Sequence, residues 1–162
     1  MIMLQAGEHS PNFAELRVSY KRKPPRKTFG TQSAPLSNPW TCEDYLRKIW
    51  DKNTIELREE FIVLYLNASH AVLGWTKIAT GGISHVFIDP RLVFGIAVQV
   101  AASAIIVAHN HPTGNLSPSP DDRATTNKLK QAGEILGIRL LDHLIITKDQ
   151  FYSFARHEEG FR

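Results

Sequence analysis

One stretch, residues 104–122, constrains the fold more than any other. It opens on Ala104-Ile105-Ile106-Val107-Ala108, an apolar run of strand length that reads as a buried strand. His109-Asn110-His111 follows and opens into a loop of Pro, Thr, Gly, Asn and Ser. Ser119-Pro120-Asp121-Asp122 then starts a helix, with Ser at the N-cap, Pro at the first position and an acidic residue at N3. Histidines at i and i+2 on an extended segment face one side. Zinc accepts imidazole and carboxylate, and a catalytic zinc keeps one position for water. Asp122 as third ligand would complete a His/His/Asp set. The same Asp122 reads as a plain helix cap, and the two roles are compatible.

The rest of the chain supplies a sheet for this stretch. Phe61-Ile62-Val63-Leu64-Tyr65-Leu66 is a second continuous apolar run and reads as a strand buried on both faces. Asn67 to His70 reads as a turn, and residues 71–80 as the antiparallel partner, broken by Gly81-Gly82. Residues 85–88 read as extended. Asp89 caps a helix with Pro90 at its first position, running to about Ala102 with Leu92, Val93, Ile96, Ala97, Val100 and Ala101 inward. The helix after Ser119 carries a stripe of Ala124, Leu129, Ala132, Ile135 and Leu136, and Gly137 ends it. Residues 138–147 and 151–154 read as the last strands. The order β, β, α, β, α, β, β predicts an α/β domain with a mixed β-sheet and packed helices.

Upstream, a helix is predicted from Thr41 as cap, with Glu43 and Asp44 in its first turn and Tyr45, Leu46, Ile49 and Trp50 on one face. Residues 51–58 form a polar connection. Residues 1–13 read as a loose start and 16–20 as a half-exposed strand. Lys21-Arg22-Lys23-Pro24-Pro25-Arg26-Lys27 is a basic run that two prolines keep extended. It reads as a solvated linker, or, with residues from 17 onward, as an arm for nucleic acid or another polyanion. The expected organisation is a basic, Pro-containing segment over 1–40 and a domain over 41–162.

Composition narrows the setting. A chain of 162 residues can bury a real core, and its net charge of +3 does not by itself imply a nucleic-acid partner. No apolar run approaches the length of a membrane span. The first residues lack the basic start and long apolar core of a signal peptide, so a cytoplasmic location is expected. The one cysteine, Cys42, rules out an internal disulfide and reads as structural. His70, His9 and His157 read as surface residues and His85 as ambiguous. Trp40, Trp50 and Trp75 read as packing residues. His143 reads as structural or as support for the site, with Asp142 a possible partner to a metal-bound imidazole.

The pattern His109-x-His111-x7-Ser119-x2-Asp122 resembles the motif of the JAMM/MPN+ metalloprotease superfamily. His109-Asn110-His111-Pro112-Thr113-Gly114, Pro118-Ser119 and Leu141-Asp142-His143-Leu144-Ile145-Ile146 resemble its RadC-like JAB branch, over about residues 41–156. The resemblance implies a JAB/MPN fold, of the cytidine deaminase-like kind. It implies zinc held by His109, His111 and Asp122, with Ser119 donating to a developing oxyanion. It also implies an upstream catalytic glutamate. The family's Arg-Glu-x-Phe pattern falls on Arg58-Glu59-Glu60-Phe61 and selects Glu59, with Glu60 and Glu56 as runners-up. The expected activity is zinc-dependent hydrolysis of an amide or isopeptide bond in a peptide or protein substrate. The alternative is a DNA-repair or mobile-element protein that binds nucleic acid. Asn110 stands where many JAMM proteases carry Ser or Thr. The basic segment stands where full-length RadC proteins carry a helix-hairpin-helix region, which weakens the DNA reading.

Overall fold

The computed structural model describes residues 3–5, 15–17, 35–81, 88–159 and 161. The chain divides into Met1–Thr31 and Gln32–Arg162. In the first unit, β1 (Met3–Gln5) pairs antiparallel with β2 (Glu15–Arg17). A three-residue strand therefore stands inside the segment read as a loose start, too short to show any periodicity. The basic run 21–27, His9 and His85 lie outside the described residues.

In the second unit the elements are α1 (Pro39–Ile49), β3 (Glu60–Leu66), β4 (Val72–Thr80), α2 (Pro90–Gln99), β5 (Ala104–Asn110), α3 (Pro120–Leu136), β6 (Arg139–Ile146), β7 (Phe151–Ser153) and the one-turn α4 (Phe154–His157). The five-stranded sheet runs β4-β3-β5-β6-β7. β5 and β6 are parallel, joined through α3, and the other pairs are antiparallel. This is the mixed α/β sheet the element order predicts. The two apolar runs are its centre: every residue of β3 and of β5 is buried. Alternation sorts them. Phe61, Val63, Tyr65, Ile105 and Val107 face one core with Val93, Phe94 and Ala97 of α2 and Leu129 of α3. Ile62, Leu64, Leu66, Ile106 and Ala108 face the other, with Cys42, Leu46 and Trp50. Helices thus cover both faces. No described helix is long and apolar enough to cross a membrane.

Several expectations shift. α1 begins at Pro39, and Asn38 is its cap: the Asn38 side chain accepts from Thr41 N at 3.0 Å, while Thr41 occupies N3. Glu43 and Asp44 therefore lie past the first turn, where they pair with Arg47 and Lys48. Leu36, within the Pro-containing segment expected over 1–40, is buried in the α1-side core. α2 ends at Gln99, and Phe94 rather than Leu92 packs inward; Leu92 and Ala101 are exposed. On α3 the buried residues are Thr126, Leu129 and Gly133, while Ala124, Ile135 and Leu136 are exposed. Gly133 causes the difference. A Cβ there would lie 2.3 Å from the Ile138 carbonyl oxygen, so this face abuts the start of β6. Ile135, about 200° further round the helix, is turned to solvent. Of the tryptophans only Trp50 is buried; Trp75 is exposed, and Trp40 lies under the Arg156 guanidinium at 4.8 Å. Burial pushes the Cys42 thiol up to about 12, which fits its structural reading.

Candidate metal centre

β5 runs two residues past the apolar stretch, so His109 and Asn110 remain in the ladder and His111 is the first residue beyond it. Phe61 pairs with His109, and His111 N donates to Ile146 O at 3.0 Å. Neighbours on each side therefore fix the direction of both imidazoles before any side-chain contact is made. His109 Nε2 lies 2.9 Å from His111 Nε2 and 3.0 Å from Asp122 Oδ1; His111 Nε2 lies 3.6 Å from Asp122 Oδ2. Ligands held at zinc's usual bond lengths, about 2.0–2.1 Å in a tetrahedron, stand about 3.3 Å apart. The three observed edges bracket that value. Two imidazole nitrogens and a carboxylate, all converging within 4.8 Å, are a donor set that fits zinc.

Asp122 serves two masters. Ser119 is the N-cap of α3, its Oγ accepting from Asp122 N at 3.1 Å, and Asp122 Oδ2 accepts from Ser119 N at 2.7 Å. The capping box holds the carboxylate still, with Oδ1 turned to His109 and Oδ2 within 3.6 Å of His111. Ser119 Oγ donates to Asp122 Oδ2 at 2.7 Å. Gly114, at φ +80, turns the loop back, and the Asn115 carbonyl accepts from His111 Nδ1 at 2.6 Å. That bond puts the His111 proton on Nδ1 and leaves Nε2 bare toward the cluster. Burial pushes Asp122 up, but the adjoining His109 and His111 rings and the Ser119 hydroxyl outweigh it and hold the carboxyl far below the usual carboxylate range. Burial pulls His111 down, yet Asp122 and the Asn115 carbonyl leave it raised overall.

The three candidate glutamates part company. Glu59 is half-buried and lines the same cavity as His109, His111, Ser119 and Asp122, near enough for its charge to raise His111. Glu60, one residue on, points the opposite way and is fully buried, 2.8 Å from Lys77 Nζ, 3.3 Å from Arg58 Nε and 3.2 Å from Thr54 Oγ1. Glu56 is exposed and paired with Lys148 at 2.9 Å. Asn110 explains why the Glu59 segment sits where it does. Its side chain donates to Ile55 O at 2.7 Å and Arg58 O at 2.8 Å, and accepts from Glu60 N at 2.7 Å. The residue between the two histidines thus clamps the chain on either side of Glu59.

Behind His109 stands His143, fully buried, with Nε2 2.8 Å from His109 Nδ1. Its Nδ1 lies 2.6 Å from Thr126 Oγ1. Burial holds the His143 pKa well below the usual imidazole value, with His109 adding to the effect. Asp142 does not support an imidazole: its carboxylate accepts from Ser153 Oγ at 2.6 Å, Ala155 N at 3.0 Å and His143 N at 2.8 Å, so it ties α4 to β6. Sequence reading passed over Thr126. The available signal was its position four residues after Asp122, which puts both on one face of α3.

The cluster opens into a cavity of about 710 Å³ whose walls include Phe61, Ile88, Thr113, Asn115, Thr125 and Lys128. A mixed α/β sheet with His-x-His at a strand end, and an Asp in the first turn of the next helix, defines a JAMM-related domain. A family model described as a RadC-like JAB domain matches residues 36–160, and the chain belongs to that family. Among its relatives, a UPF0758 protein of Flavobacterium johnsoniae is 48% identical over 102 residues, 63% of this chain and 44% of the relative. One from Aquifex aeolicus is 40% identical over 131 residues, covering 81% of this chain and 54% of the relative. One from Staphylococcus aureus is 45% identical over 126 residues, covering 78% and 56%. The chain thus spans about half the length of these curated relatives.

Proposed function

We propose that this domain is a zinc-dependent hydrolase that cleaves an amide or isopeptide bond in a peptide or protein. The observation that supports this best is the meeting of Glu59 with His109, His111, Ser119 and Asp122 at one cavity, although Glu59 lies some fifty residues upstream. His109 and His111 would hold the metal through Nε2, and Asp122 through a carboxylate oxygen. A bound zinc supplies a Lewis acid that lowers the pKa of water to about 7. The chain's own groups do the rest. Glu59, on the cavity wall beside the ligand set, takes the proton from water and passes it to the leaving amine. Ser119 Oγ would turn its proton from Asp122 to the substrate's carbonyl oxygen as charge develops there, an effect worth about 3 kcal/mol in comparable sites.

The test is metal content followed by turnover. The full chain should carry about one zinc, and His109→Ala should carry none. A screen of peptide and isopeptide substrates should then give cleavage that Glu59→Gln abolishes with its zinc retained. A wild-type chain that takes up no zinc overturns the reading.

A further inference from the structure

We propose that Thr126 and His143 are positioning residues that decide which ring nitrogen of His109 is bare, and so set the affinity of the site for a divalent metal ion. The inference rests on the metal reading above and goes past the ligands themselves.

A hydroxyl has one hydrogen to give. Thr126 Oγ1 donates it to the Asp122 carbonyl oxygen, 2.6 Å away. Toward His143 Nδ1, Thr126 Oγ1 can then only accept, so the His143 hydrogen sits on Nδ1. His143 is neutral on structural grounds. It is fully buried, stacked on Phe154 at 4.8 Å and edge-on to Phe61 at 5.7 Å, and the neighbouring Asp142 carboxylate is taken up by Ser153 and Ala155. A charge there would be costly. A neutral imidazole carries one N–H, so His143 Nε2 is bare and accepts from His109 Nδ1 at 2.8 Å. In the neutral imidazole that can hold a metal, His109 Nε2 is in turn left bare, aimed at His111 Nε2 and Asp122 Oδ1.

The circuit closes on one residue. Asp122 supplies the carbonyl that orients Thr126 and the carboxylate that meets His109 Nε2. The reverse order of protons would put N–H on His109 Nε2, pointing into the ligand cluster, and would block that corner of the site. Thr126 is what selects between the two orders.

Zinc alone is a sufficient probe. Affinities are measured on the full chain by competition with a chromophoric chelator. Thr126→Val keeps the shape and removes the hydroxyl, and should weaken zinc about 10–100-fold, the usual loss when support for a histidine ligand is removed. Thr126→Ser restores the hydroxyl and should bind like wild type. His143→Phe should weaken zinc to a similar degree, whereas His143→Gln, whose amide can accept from His109 and donate to Thr126, should recover much of the loss. Nitrogen NMR of the chelated wild type should show His109 protonated on Nδ1, and Thr126→Val should show protonation shifted toward Nε2. A residue that only packs would not move that signal. Equal zinc affinity for Thr126→Val and Thr126→Ser overturns the inference alone, as does a wild-type His109 protonated on Nε2, a measurement that stands even if Thr126→Val fails to fold. No zinc uptake by wild type overturns the metal reading and takes this inference with it.

Discussion

At the scale of single residues, Glu59 and Glu60 show how one step at the start of β3 separates two kinds of carboxylate. Side chains alternate across a strand, so Glu59 reaches the cavity while Glu60 is buried among Lys77, Arg58 and Thr54. Their variants should part in the same way. Glu60→Gln removes a buried charge that accepts from two partly exposed cations, and should cost about 1.5–3 kcal/mol in urea unfolding, the worth of a hydrogen bond to a charged group. Glu59→Gln should leave unfolding within about 0.5 kcal/mol, the usual range for a surface change. Equal losses would sink the assignment of opposite faces. Asn110 makes a second case. Asn110→Ala strands the buried Ile55 carbonyl, the part-buried Arg58 carbonyl and the buried Glu60 N–H, at about 1 kcal/mol each. A loss of about 3 kcal/mol is expected, with zinc uptake kept because His109 is held by the β5 ladder and His111 by its N–H to Ile146 O. Loss of zinc together with stability would show instead that Asn110 holds the ligands and not the Glu59 segment.

At the scale of elements, α3 links the site to the far edge of the core, and Gly133 is its tight point. Ala favours a helix over Gly by about 1 kcal/mol, so Gly133→Ala would stabilise an isolated helix. Here the new Cβ would meet the Ile138 carbonyl oxygen at 2.3 Å and the Phe94 ring at 3.4 Å. Backbone cannot yield as a side chain can, and overpacking of this kind costs about 1–3 kcal/mol. A net loss is expected in urea unfolding with zinc stoichiometry unchanged, since Gly133 lies about 16 Å along the helix from Asp122 at 1.5 Å per residue. A gain in stability would refute the close approach. The same element shows what a sequence can disclose. Ser119, Pro120, Asp122 and Gly137 were legible because caps are local chemistry, and β3 and β5 because unbroken apolar runs have one economical home, the middle of a sheet. The inward face of α3 was not legible, because Leu129, Ile135 and Leu136 all look apolar and only the approach at Gly133 chooses among them. His143 was half legible. Leu140 pairs with Ile105 and Asp142 with Ile106, so β6 skips Leu141. That irregularity returns His143 to the face of Leu140 and Ile145, and strict alternation from Leu140 would have sent it to the other side.

For the whole molecule, the metal-free protein carries a pH signature that follows from where its titrating groups sit. His143 is buried and its pKa is lowered well below the unfolded value of about 6.5. Below that pH the unfolded chain binds a proton that the folded chain refuses, so stability is lost as pH falls, by up to about 1.4 kcal/mol per unit. His111 acts in the opposite sense. Its folded pKa is raised, so its contribution is full below about 6.5 and is lost as pH rises through the folded value. Asp122, held far below the usual range, contributes above about 3.9 and is lost only under stronger acid. Taken over these groups, stability in the presence of a chelator should be greatest near pH 6.5 and fall on either side. Asp142, raised by burial, takes its proton early in the folded chain and works against the acid loss, but it is common to wild type and to a His143 variant. His143→Phe should therefore flatten the acid side alone, and the two stability curves, measured by urea unfolding, should converge as pH drops from about 6.5 toward 4. Curves that stay parallel over that window would mean that His143 is not buried and neutral. Zinc should lift the wild-type curve by about 2.7 kcal/mol at a hundred times its dissociation constant, and the lift should shrink on acidification as protons compete for the imidazoles.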